Sequence, residues 1–248
     1  MGLTIHYELN APDGWDADAA RSAVKKLRTF AVSLGCEDCG KVIRWDCRKD
    51  EPDLGRFREF LVCYDQTPGA ERFLSVPPLD FTMFGLRQGG SETAFFGLGR
   101  FGATATDFAD ETIRRPTNLQ GYCWSAFCKT QYASATQCGG WDNFFKIHDG
   151  ICQVLDFAGT LGIKTVVRDE CDYWQHRDAK ALQATIAHWN QLIAAFTGKF
   201  KDAMQNKAKG AILAPITEDP VYEHLEAQGQ HLLNEPWQIR AVKNPKRD

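Results

Sequence analysis

Apolar and polar positions alternate over residues 3 to 9, LTIHYEL, a period of two that predicts a strand. The period then lengthens. Behind Asp16, the positions Ala20, Val24, Leu27, Ala31 and Leu34 recur at helical spacing, with Asp16 as N-cap and Gly35 as stop. KVIRWDC (41–47) reads as a second strand, KDEPDLG (49–55) as a polar turn and REFLVCYD (58–65) as a third strand. ERFLSV, LDFTMF and ETAFF follow as short β-type runs between residues 71 and 96, separated by Pro77-Pro78 and RQGGS.

GYCWSAFCKTQYA (121–133) is a long aromatic strand candidate. Its alternation puts Ser125, Phe127, Lys129 and Gln131 on one face and Trp124, Ala126 and Cys128 on the other. Asp142 then caps a helix carrying Phe145, His148, Cys152 and Leu155, stopped by Gly162, and IKTVVRD (163–169) is a further strand. A strong helix follows Asp178, with Leu182, Ile186, Trp189, Ile193 and Phe196 at helical spacing and a break expected at Gly198. Asp219-Pro220 opens a short helix that closes at Gly229, ahead of a mobile basic tail ending in NPKRD.

A repeat runs through these elements. Thr4, Tyr7, GWD (14–16), SLG (33–35) and VIRWDC (42–47) recur in order as Thr130, Tyr132, GWD (140–142), TLG (160–162) and VVRDEC (166–171), at offsets of 124 to 127 residues. The cap and the glycine stop are what any strand-helix-strand unit requires, but the shared Trp, Arg and Cys are not. The fold class expected is therefore α+β: a two-layer sandwich of mixed or antiparallel sheet with helices on one face, built from two duplicated βαβ-like halves (about 1–110 and 120–208). Residues 1–208 form one domain in this reading, and 209–248 a C-terminal extension.

Composition narrows the class. At 248 residues, 44% apolar and 25% charged, the chain has an ordinary globular balance, and a net charge of -3 gives no basic field for nucleic acid. No apolar run reaches the ~20 residues that span a bilayer, and the first residues, MGLTIHYELN, carry no secretory pattern. Nine cysteines, an odd number set mostly in apolar stretches, read as reduced thiols and point to the cytoplasm.

FFGLGRFG (95–102) has the spacing of a phosphate-binding glycine loop and resembles, over about eight residues, the opening of the nucleotide-binding domain that regulates potassium channels and transporters. That motif needs a long apolar helix starting at the third glycine and an acid some twenty residues on. Here ATATDFADETIRRP follows, and the positions near 122 hold no carboxylate, so the glycines read as close-packed strand residues.

Three other groupings carry candidate chemistry. CEDCGK (36–41) resembles a zinc-ribbon knuckle, with Cys36 and Cys39 as ligands and Cys47 as a third, although a closed site needs four. DECDYWQHRD (169–178) joins a strand end to a helix start, where α/β layers present residues to ligands. It offers Asp169, Asp172, Tyr173, Trp174 and Arg177 for binding, and Glu170 and His176 for acid-base work with Lys129, whose expected partner is Glu170. His148, on an apolar helical face, reads as a core histidine. The function expected is a protein that binds a small molecule or protein partner through an aromatic, mixed-charge pocket near residues 169–178, with no nucleic acid and no membrane. The alternatives are a metal-assisted hydrolase using Glu170, Asp169, His176 and Lys129, and a structural subunit of a larger assembly. No cofactor is expected beyond a divalent metal or zinc.

Overall fold

The computed structural model describes residues 3–47, 62–64, 73–76, 78–107, 112, 114–117, 119–205 and 215–234. The predicted KDEPDLG turn, most of REFLVCYD and the NPKRD tail lie outside them. The chain divides into two compact units, Met1–Leu182 and Gln183–Asp248. The expected boundary near residue 208 falls among residues not described.

The first unit is α+β. Its strands are β1 (Thr4–Asn10), β2 (Asp38–Cys39), β3 (Ile43–Asp46), β4 (Val62–Tyr64), β5 (Phe73–Ser75), β6 (Pro78–Arg87), β7 (Ala94–Phe101), β8 (Thr104–Asp107), β9 (Arg114–Pro116), β10 (Cys123–Lys129) and β11 (Lys164–Asp169). The main sheet runs β11-β1-β10-β7-β6-β2, with β3 also paired to β6, and every pairing is antiparallel. A second sheet orders β4-β5-β8-β9.

Helix α1 (Ala17–Ser33) starts where the sequence predicts. Asp16 accepts from the backbone N–H groups of Asp18 and Ala19, and Gly35 leaves the helix at φ +66°. Helix α2 (Gly140–Thr160) differs from prediction at its head. Two glycines with positive φ, Gly139 and Gly140, turn the chain into the helix before Asp142, which sits in the first turn and does not cap. The buried face of α2 runs Phe144, Ile147, His148, Ile151, Cys152, Val154, Leu155 and Ala158, so Phe144 takes the inward place expected of Phe145.

Helices α1 and α2 pack beside one another, α1 against β6 and β7 and α2 against β11. Cross-strand register sets what they cover. Ile5, Tyr7 and Leu9 lie opposite Cys128, Ala126 and Trp124 on one side and Asp169, Val167 and Thr165 on the other. Ile5, Tyr7 and Leu9 are fully buried, each worth about 1.5–3 kcal/mol of transfer free energy. Phe127, Arg168, Glu8 and Val166, on the alternate positions, are exposed.

The glycine-rich segment is strand. Gly97 and Gly99 lie in β7, and β8 rather than a helix follows Gly102. A Cβ at Gly97 would stand 2.8 Å from the Cβ of Met83 and 3.0 Å from the Trp124 ring, and one at Gly99 2.9 Å from the Cβ of Phe81. β10 meets β7 in register only at Cys123 and Gly99. Beyond that point the Tyr7 hydroxyl (2.8 Å) and the Trp124 indole N–H (3.0 Å) both donate to the Phe95 carbonyl and take the place of ladder bonds.

The repeat is matched unevenly. Each copy has a helix followed by a strand, but Thr4 and Tyr7 lie within β1 whereas Thr130 follows β10 and Tyr132 sits in a 3-10 turn, Gln131–Ser134. A short helix α3 (Tyr173–His176) follows β11, and then α4 (Ala179–Gln205), whose cap Asp178 accepts from the N–H groups of Lys180 and Ala181.

In the second unit α4 runs unbroken through Gly198, and α5 (Tyr222–Asn234) runs through Gly229. A Cβ at Gly229 would overlap the Gln191 carbonyl, and one at Gly198 the Glu226 side chain, so both glycines serve a close helix crossing. Ala194, Ile216 and Tyr222 form its buried cluster with Ile193 and Leu225, while Phe196 points outward, against expectation.

Candidate functional site

The helix-covered face of β11 ends in a carboxylate. Asp169 is opposite Ile5 in register, which aims it at α2, and there His148 is fully buried. His148 Nε2 lies 3.3 Å from Asp169 Oδ2 and 3.4 Å from Cys171 Sγ, and the Cys171 thiol donates to Asp169 Oδ1 at 2.9 Å. Among the described residues, His148, Asp169 and Cys171 are the group of potential metal ligands whose donor atoms all lie within 4.8 Å of one another.

Surrounding bonds hold the three in place. Thr130 Oγ1 is 2.9 Å from His148 Nδ1. The backbone N–H of Cys171 donates to Asp169 Oδ1 (3.1 Å) and that of Trp174 to Oδ2 (2.9 Å), so both carboxylate oxygens are fixed. Phe144 and Tyr173 flank the imidazole at 5.1 and 5.7 Å between ring centroids. Burial pushes the Asp169 carboxyl up, but its bonds from His148 and Cys171 outweigh this and hold it at about 2. Burial, and then the Asp169 charge, push the Cys171 thiol well above its usual range. A bound cation reverses that last effect, because it favours the thiolate outright.

The loop beyond β11 is tightly braced. Asp172 (φ +57°) and Arg177 (φ +51°), the two non-glycine residues with positive φ among the described residues, bound α3 at both ends. The Arg177 guanidinium stacks over Trp174 at 4.5 Å and over Tyr173 at 5.7 Å, and binds Asp156 at 2.8 Å with Asp149 at 3.9 Å. The Tyr173 hydroxyl donates to Asp149 at 2.7 Å.

Of the residues singled out in the sequence, the centre takes Asp169 and the loop wall takes Tyr173, Trp174 and Arg177. Asp172 and His176 are exposed. Glu170, next in line after Asp169, points the other way, accepting from the Thr4 N–H at 3.0 Å with His6 at 3.8 Å. Lys129 donates its backbone N–H to the Glu92 carboxylate, and the side-chain partner of Glu170 is His6 rather than the expected Lys129 ammonium. Cys47 does not join Cys36 and Cys39 as a third ligand: Cys39 pairs with Leu86 on β6 and Cys47 bonds to Leu79, seven residues or about 24 Å along the same strand. The residues missed are Cys171, Thr130, Asp149, Asp156 and, set aside as core, His148. The spacing of Asp149 and Asp156, two turns apart on α2, was the one readable signal that a cation such as Arg177 faces that side.

No known protein family, curated protein or solved structure matches this chain.

Proposed function

We propose that this chain is a metal-binding protein, and that His148, Asp169 and Cys171 hold one divalent transition ion of the zinc class. The ligand of the loop at 169–178 is, on this reading, the ion. The observation that carries the proposal is convergence on a single imidazole nitrogen. Metal–nitrogen and metal–oxygen bonds of about 2.0–2.1 Å and metal–sulfur bonds of about 2.3 Å give tetrahedral edges of about 3.3 Å between N and O and about 3.6 Å between N and S. The corresponding separations here are 3.3 and 3.4 Å.

The same convergence argues against nucleophilic thiol catalysis. A Cys–His–Asp relay places the thiol on one ring nitrogen and the carboxylate on the other, whereas here both meet Nε2 and Nδ1 faces Thr130. The Thr130 hydroxyl serves either tautomer, because it can donate to Nδ1 or accept from Nδ1–H once a metal occupies Nε2. Glu170, His176 and Lys129 stand away from the centre, which leaves the hydrolase alternative without its reacting groups there. A thiol ligand that must stay reduced suits a reducing compartment such as the cytoplasm. The duplicated two-layer sandwich belongs to the same reading, supported by the side-by-side helices and by the strand that follows each.

The test is metal analysis of the purified full chain with a thermal melt. About one zinc per chain and a melting temperature lowered reversibly by a chelator are expected, with neither in His148→Ala. A wild-type chain that carries no zinc and whose melting is unmoved by added Zn²⁺, Co²⁺ or Mn²⁺ overturns the proposal and leaves a purely structural hydrogen-bond network.

A further inference from the structure

Resting on the metal-binding reading, we infer that Cys152 supplies a fourth ligand and closes the centre as a site of two thiolates, one imidazole and one carboxylate. Cys152 follows His148 by four residues in α2, so the two side chains leave the same face of the helix one turn apart. It is fully buried, and its thiol is free and makes no hydrogen bond among the described residues. Asp149 and Asp156, about one turn to either side of Cys152 on α2, bind Tyr173 (2.7 Å) and Arg177 (2.8 Å), so the loop that follows Cys171 lies across this stretch of the helix.

The Cys152 Sγ stands outside the set of atoms within 4.8 Å of one another, so binding requires it to swing inward. Rotation about Cα–Cβ between the two staggered wells that a helix permits moves Sγ by roughly 3 Å. Water is the competing fourth ligand, but a buried water needs two to four polar partners. The polar atoms here are already engaged: both Asp169 oxygens hold backbone N–H groups and Nδ1 of His148 holds Thr130. His148 and Asp169 are both 0% exposed at the side chain, as suits a closed structural site rather than an open catalytic one. On binding, each thiol loses its proton to solvent and each thiolate donates a lone pair to the ion, with no change of oxidation state.

X-ray absorption at the zinc edge of the wild-type chain counts sulfur neighbours without any substitution. Two at about 2.3 Å are expected, and one overturns the inference while leaving the metal-binding reading intact. Cobalt substitution gives the second measurement: Cys152→Ser should lower the sulfur-to-cobalt charge-transfer band per bound ion to about half and weaken zinc binding by about tenfold or more. An unchanged band per ion overturns the inference, and Cys152→Ala reports the same quantity if the serine variant does not fold. A wild-type chain that takes up neither metal overturns both readings together.

Discussion

Asp80 and Asp169 are both buried on the main sheet, and they are satisfied in different ways. Asp80, on β6, lies directly across from Arg100 on β7 and accepts its guanidinium (Nε at 2.8 Å) on one oxygen and the Tyr122 hydroxyl (2.9 Å) on the other. Its neighbour on the opposite side is Asp46 of β3, itself 3% exposed. Burial, and then the bond to Asp80, raise the Tyr122 hydroxyl, which therefore stays a donor. Asp169 meets no guanidinium. Its partners are an imidazole, a thiol and two backbone N–H groups.

The difference decides what each can do. Arg100 is a permanent cation without a lone pair, so the Asp80 cluster is complete as an ion pair and has no place for another charge. Imidazole and thiol carry lone pairs and exchangeable protons, so a divalent ion can replace the protons that now fill the Asp169 centre. Burial alone does not make a carboxylate a ligand; the partners decide.

The comparison can be broken or sharpened by experiment. The largest effect expected is from the ion: zinc at a thousandfold its dissociation constant stabilises the wild type by about 4 kcal/mol. His148→Ala should abolish that gain and Arg100→Met should leave it unchanged, as read by chemical denaturation with and without metal. Next, Arg100→Met leaves Asp80 without its cation. With the arginine side chain 44% exposed, the loss should be about 2 kcal/mol, below the figure for a fully buried pair, with metal content unaltered.

Thr130→Val removes the bond that orients the His148 ring. Zinc affinity should fall about 10- to 100-fold in a competition assay while stoichiometry stays at about one. An equal loss of folding stability with no change in affinity would make Thr130 merely structural. The smallest effect is expected from Tyr122→Phe, about 1 kcal/mol in a denaturation midpoint, because Arg100 still holds the carboxylate it leaves. A change in metal affinity for that variant would show that the two clusters are coupled.

How far the centre was legible from the residues follows from what each element depends on. Asp16, Gly35, Gly162 and Asp178 act within a turn of themselves, and each stands where the helical pattern puts it. Asp142 failed as a cap because Gly139 and Gly140 adopt positive φ and start the helix early. Asp169 was legible as a strand end. His148 was set aside because a histidine on an apolar face says nothing about what it faces, and the partner lies 21 residues on, at a strand end whose side is set by pairing with β1.

The sequence by itself determined the helical stretches, the strand character of the glycine-rich segment and the absence of a charge field, because propensity, capping and composition are local or summed quantities. Only the tertiary structure decided that Thr130, His148, Asp169 and Cys171 share one buried point while Glu170, Lys129 and His176 do not. Register is the physical reason: a strand sends successive side chains to opposite faces, so a single position separates Asp169 in the core from Glu170 at the surface, and which face becomes the core is fixed by strands and helices far away in the chain.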